Sequence, residues 1–193
     1  MSPPDDSKRR GRRHLLLIAS LFVVPVVTAI LLYHSVDWRP VVNAQGTLID
    51  PARMLAVAGL TLTDGMAAPA DAFQGRWSVI RPVTGDCGPR ERELLEELAR
   101  VRLALDKDAD RVQRVLVHDG GCVEGTQEVD ATDLRVFSAG ADFLAQFPPS
   151  VDGATGIYIA DPHGNLMMSY PASGSARGLL KDLDRLLRLS SIG

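Results

Sequence analysis

WSVIRPVTGDCGPRE, residues 77 to 91, runs from an apolar strand through a short turn into a helix start, with a cysteine at the junction. Trp77 to Val83 is apolar enough for the centre of a sheet. Pro82 cannot donate to a ladder, so regular pairing is expected to end near Arg81. Pro89 suits the first turn of a helix. From there Leu94, Leu95, Leu98, Val101 and Leu105 recur at helical spacing, with Glu96 and Arg100 paired four apart on the outer face. A helix N-terminus carries unpaired N–H groups and a partial positive charge, so a cysteine there is favoured as thiolate, the form that attacks disulfides or binds metal. Cys87 is therefore the candidate reactive thiol.

Working outward, Arg111 to His118 (RVQRVLVH) reads as a strand and Leu134 to Phe137 as a short one. Ile157 to Ala160 and Leu166 to Tyr170 form a hairpin across Asp161-Pro162-His163-Gly164, and Leu179, Leu180, Leu183, Leu186 and Leu187 mark a final amphipathic helix. Upstream, Leu60 to Gly65 (LTLTDG) is a strand entering a turn. The order strand, helix, strand, hairpin, helix is that of an α/β thioredoxin-like domain, in which a crossover helix joins parallel strands. There is no internal repeat, nucleotide loop, serine triad or zinc-spaced cluster.

The 193 residues, 46% hydrophobic and 23% charged, suit one globular domain with a short extension. That extension is N-terminal: Lys8, Arg9, Arg10, Arg12 and Arg13 precede an uncharged apolar run from Leu15 to Tyr33. At about 1.5 Å per residue the run nearly matches a hydrocarbon core of about 30 Å. Val27 and Ala29 imitate a signal cleavage site, but the apolar run continues through it, which favours an uncleaved anchor. The chain thus divides into a basic cytoplasmic N-terminus (1–13), a transmembrane helix (14–34), a tether punctuated by Pro40, Gly46 and Pro51 (35–54), and the thioredoxin-like domain (55–193). Basic residues stay inside, which places the domain in the periplasm of a bacterial inner membrane, with Tyr33 and Trp38 at the outer interface. Beyond residue 13 the chain holds 16 basic and 22 acidic groups, with no concentrated basic surface, so nucleic acid is excluded as a partner. Both cysteines, Cys87 and Cys122, then face an oxidising compartment, where they pair or stay reduced until a metal arrives.

LTLTDG at 60–65, GRWSVIRPVTGDC at 75–87 and VDGATGIYIADPHGNL at 151–166 occur in an order that resembles the Sco/SenC family, membrane-anchored thioredoxin-like proteins that help deliver copper to cytochrome c oxidase. The ending SYPASGSARGLLKDLDRLLRLSSIG is similar to that of short, degenerate, single-pass proteobacterial members. The resemblance implies an accessory factor in biogenesis of a haem-copper oxidase, acting by contact with oxidase subunits or other assembly factors.

The family's copper site takes two cysteines in CxxxC and a later histidine. Only Cys87 matches: Glu91 stands at the second cysteine and Gly153 at the histidine, while the CxxC spacing of thioredoxin would fall on Arg90. Soft Cu(I) prefers thiolate, thioether and imidazole, so Cys87 with a carboxylate is a poor substitute. The degenerate site therefore argues against an enzyme. A replacement partner could come from HDGGC at 118–122, because loops after neighbouring parallel strands gather on one sheet edge. Three readings stay open: a Cys87–Cys122 disulfide, a Cu(I) site of Cys87, Cys122 and His118, or an idle Cys122 with His118 merely ending a strand. The first two would support a thiol-disulfide oxidoreductase or a Cu(I) chaperone as the alternative function. Met167 and Met168 face opposite sides of a strand and suit packing. His14, His34 and His163 read as solvated or interfacial. Glu91, Glu93, Glu96 and Glu97 read as one solvated helix face, near enough to Cys87 to raise its pKa.

Overall fold

The computed structural model describes residues 6–35, 44–122, 133–150 and 155–190, and within the first of these the side chains of residues 14 and 17–31. Two compact units divide the chain, Met1–Asn43 and Ala44–Gly193. The first contains a 30-residue helix, α1 (Asp6–Ser35), with Pro25 inside it. Leu17, Ile18, Leu21, Phe22 and the other large apolar side chains described along it through Leu31 are all exposed. Among the described residues no helix is long and apolar enough to cross a membrane.

The second unit is a seven-stranded sheet. Its strands are β1 (Thr47–Met54), β2 (Leu60–Leu62), β3 (Trp77–Val83), β4 (Val112–His118), β5 (Leu134–Ala139), β6 (Ile157–Ala160) and β7 (Asn165–Tyr170), in the spatial order β1-β7-β6-β3-β4-β5-β2. β3, β4 and β5 are parallel neighbours, and the other pairings are antiparallel. The period-2 alternation of the strands splits the core between two faces. Trp77, Val79, Val112, Ile157, Ile159 and Met168 pack against α2 (Pro89–Leu103) and α4 (Ala176–Leu189), whose leucines recur at the expected spacing. Ile80, Val115, Val117, Phe137 and Tyr158 face the other way, onto Phe73, Phe143 of the short helix α3 (Ala141–Leu144) and Phe147 beyond its end. The parallel pair and its crossover helix are thus where the sequence places them.

Three local expectations are corrected. β3 does not stop near Arg81: its pairing with β4 continues through Pro82↔Val117 to Val83↔His118, whereas its pairing with β6 ends at Ile80. Proline is tolerated because it lies where one neighbour has already left the strand. Thr47–Met54 is not tether but an edge strand, paired with β7 from Thr47↔Ser169 to Met54↔Asn165 around an irregularity between Leu48 and Arg53. An edge accepts Pro51, which a central strand would not. Arg111 belongs to a 3-10 turn, Asp106–Arg111, and its guanidinium donates to the carbonyls of Leu187 and Ser190 at the end of α4. The residues 36–43 of the expected tether lie outside the described residues, as do Trp38 and the side chains of Tyr33 and His34.

The start of the domain is moored by a buried carboxylate. Asp182 on α4, 3% exposed, accepts the backbone N–H groups of Gln45 and Gly46 at 2.7 and 3.0 Å and the Tyr170 hydroxyl at 2.9 Å. Burial and the adjacent carboxylate push the Tyr170 phenol pKa far up, so it stays a donor. Gly46 lies against the Tyr170 ring, where a Cβ would fall 2.4 Å from the ring carbons. In the β6–β7 hairpin, Asp161 organises the turn by accepting the N–H groups of His163 and Asn165, and His163 is exposed as expected.

Candidate functional site: two cysteine loops and a buried ion pair

Val83↔His118 is the last pair of the β3–β4 ladder, so the loops that follow, TGDC at 84–87 and DGGC at 119–122, leave the same sheet edge side by side. Gly85 and Gly120 take left-handed conformations, φ +82° and +113°, that most side chains resist. Cys87 and Cys122 are joined in a disulfide with Cα atoms 4.8 Å apart. Cys122 is fully enclosed by Val83, Leu95, Leu116 and Leu134, whereas Cys87, just before the Gly88 N-cap of α2, is half-buried at the surface of that cluster. The sequence-predicted cysteines are thus brought together, and neither is a free thiolate in this state.

His118 lies beside them in sequence but is engaged elsewhere. It is 3% exposed, and its Nδ1 accepts the N–H of Gly120 at 3.0 Å. Burial lowers its pKa and the Asp119 charge offsets this in part, and a ring whose Nδ1 accepts a hydrogen bond carries its proton on Nε2. Asp119 bridges the two loops: Oδ2 accepts the Gly85 N–H at 2.9 Å and Oδ1 the Gly121 N–H at 3.3 Å. Those backbone donors, Gly85 first, hold its carboxyl below the usual range.

One helical turn beyond Cys87, Glu91 is not on the solvated face. It forms a two-pronged ion pair with Arg81 of β3, Nε to Oε2 at 2.9 Å and Nη2 to Oε1 at 2.7 Å, with side-chain exposures of 6% for Arg81 and 18% for Glu91. Arg81 Nη1 also donates to the carbonyls of Thr155 and Gly156. A guanidinium thus fills the space between β3, the first turn of α2 and the chain entering β6. The other outer-face pair, Glu96–Arg100, is exposed at 3.9 Å and contributes little. On the opposite side of β3, Pro82, Thr84, Phe147, Thr155 and Tyr158 help line a cavity of 180 Å³.

With the disulfide closed, this arrangement offers copper no thiolate. The two sulfurs are spent on each other, His118 Nδ1 is occupied as an acceptor, and the Glu91 carboxylate already neutralises a guanidinium. Among the described residues no group of three or more His, Cys, Asp or Glu side chains is placed to hold a metal ion. Gly153 lies outside the described residues. Met168 is buried and Met167 half-buried in β7, each in the packing role expected of it.

Sequence reasoning missed Arg81, Asp119 and the glycine contact between the loops. The signal for Arg81 was present: a cation inside the apolar run VIRPV must find a buried partner, and the first acid after the cysteine is Glu91. Nothing in the sequence signals that the Asp119 carboxylate reaches back to Gly85.

A family model described as transmembrane-like, thioredoxin-like, C-terminal domain matches residues 77–190. The structure is similar to apo Sco1 from Thermus thermophilus, at 15% identity and TM-score 0.54, over 74% of this chain and 96% of that one. It is similar to copper-bound ScoI from Arabidopsis thaliana, at 14% identity and TM-score 0.52, over 76% of this chain and all (100%) of that one. A third similar structure is BsSco, a member of the Sco family in which a disulfide switch is described, at 9% identity and TM-score 0.52, over 72% and 96% of the two chains. At these identities the likeness shows the thioredoxin-like fold. No curated protein sequence matches.

Proposed function

This chain belongs to the family of transmembrane-like, thioredoxin-like C-terminal domains, and from that premise we propose a membrane-anchored accessory factor in biogenesis of a haem-copper oxidase, acting by protein contact. The observation that carries the reading is the Arg81–Glu91 pair. At the position where Sco proteins place their second cysteine, this chain has a carboxylate locked to a cation, and its remaining thiol is bonded to Cys122. A domain with the Sco fold but a closed site retains its surfaces and loses its donor set.

What supports the anchor is the sequence, an uncharged apolar run from Leu15 to Tyr33 whose length nearly matches a hydrocarbon core. The basic residues before it place the N-terminus in the cytoplasm and the domain in the periplasm of an inner membrane. Anchoring confines the search for oxidase subunits or other assembly factors to the bilayer. Deletion of the gene should lower haem-copper oxidase activity in membranes, and the wild-type gene should restore it. Normal oxidase activity and copper content in the deletion strain would overturn the reading.

One observation favours a second reading, thiol-disulfide exchange: Cys87, at a helix start, is half-buried and the more exposed residue of the pair. Attack on Cys87 by a partner's thiolate would release Cys122 as a thiolate into an apolar enclosure that solvates charge poorly, which makes it a slow leaving group. Opening of the disulfide by millimolar glutathione within seconds would favour exchange. Opening over hours supports a structural link.

A further inference from the structure

We propose that HDGGC, residues 118–122, is a clamp that presents Cys122 to Cys87, with Asp119 as its positioning residue. One carboxylate spans the gap between the two cysteine loops, accepting Gly85 N–H from the first and Gly121 N–H from the second. The loops touch through their backbones: a Cβ on Gly121 would fall 2.3 Å from the Gly85 carbonyl oxygen, so only glycine permits this approach. Upstream, His118 Nδ1 fixes Gly120 in its left-handed conformation. Each residue between β4 and Cys122 therefore has a backbone task that brings the sulfur into reach. A carboxylate held below its usual pKa keeps this bridge charged throughout the neutral range.

The clamp acts on disulfide closure. With glutathione disulfide as oxidant, one protein thiolate attacks it, expelling one glutathione thiolate and leaving a mixed disulfide. The second protein thiolate then displaces the other glutathione. Two electrons and the two thiol protons end on two glutathione molecules. The second displacement is intramolecular, and its favourability follows how often the two loops hold the sulfurs in contact.

This inference rests on the Cys87–Cys122 pairing and not on the oxidase role, which the deletion strain tests separately. The experiment is the thiol–disulfide equilibrium of the purified full chain in detergent, in glutathione buffers, read by mass after alkylation of free thiols. Asp119→Ala should lower the equilibrium constant for closure about threefold, by loss of the exposed hydrogen bonds to Gly85 and Gly121. Asp119→Asn, which keeps an acceptor, should fall between. Gly121→Ala should shift the equilibrium in the same direction by a separate cause. In stopped reactions Asp119→Ala should slow the second, intramolecular displacement and leave the rate of the first attack on glutathione disulfide unchanged, which a merely structural role would not give. An Asp119→Ala constant within twofold of wild type would overturn the proposal. So would an equal slowing of both displacements, or free thiols in the wild type at equilibrium with the oxidant.

Discussion

Removal of the Glu91 side chain tests the idea that a cation was built into this site with one carboxylate as its counterpart. Arg81 is 5% exposed, and Glu91→Ala leaves its guanidinium with the carbonyls of Thr155 and Gly156 as its recorded acceptors. Breaking a buried pair from one side costs about 3–5 kcal/mol, because the surviving charge is uncompensated. Glu91 retains 18% exposure, so water reaches part of the vacated space and the lower end, about 3 kcal/mol, applies. For a domain of this size each kcal/mol lowers Tm by about 2–4 °C, giving a fall of about 6–12 °C. The assay is thermal unfolding followed by circular dichroism in detergent, with Arg81→Ala and the double variant completing a cycle. Coupling of at least about 1.5 kcal/mol is expected for directly bonded charges. A Glu91→Ala shift below about 2 °C, or coupling below about 0.5 kcal/mol, would refute the reasoning.

Reduction of the disulfide, or Cys87→Ser with Cys122→Ser, should lower stability by about 3–4 kcal/mol, the entropy of a loop spanning the 35-residue separation, read from urea midpoints with and without reductant. Asp182→Ala should cost about 3 kcal/mol, since two N–H groups and the Tyr170 hydroxyl lose their acceptor, and should raise amide exchange at Gln45 and Gly46. Asp133, held by Arg114, has a depressed pKa; its contribution is present above the unfolded value near 3.8 and is lost as pH falls through the lower folded value. Asp133→Asn should therefore be less stable than wild type at pH 7, and the difference should shrink below about pH 4 in urea titrations at stepped pH.

The parallel β3–α2–β4 unit was legible because its strands are apolar, its helix keeps a 3.6-residue leucine period, and Pro89 marks where the helix begins. The hairpin was legible from its Asp-Pro-x-Gly turn. β1 was not, because an edge strand with a proline, a bulge and mostly exposed residues lacks the alternation that betrays a half-buried strand. Pro82 misled in the opposite direction: it forbids one donor, and that donor was not needed where β6 had ended. At the site, strand order brought the Cys87 and Cys122 loops to one sheet edge but did not choose between a disulfide, a metal site and an idle Cys122. Glu91 was misread as solvated because helical spacing does not reveal a buried cation on an adjacent strand. The Asp182 mooring, a contact across 137 residues to Gln45, has no local pattern.

The measurement that bears most directly on the central claim is oxidase activity in membranes of a deletion strain carrying Cys87→Ser with Cys122→Ser, at matched protein level and a temperature where the variant stays folded. Action by contact predicts activity equal to that restored by the wild-type gene. Activity left at the level of the deletion strain, beside a rescuing wild type, would contradict the account and place thiol or copper chemistry at the centre of the function.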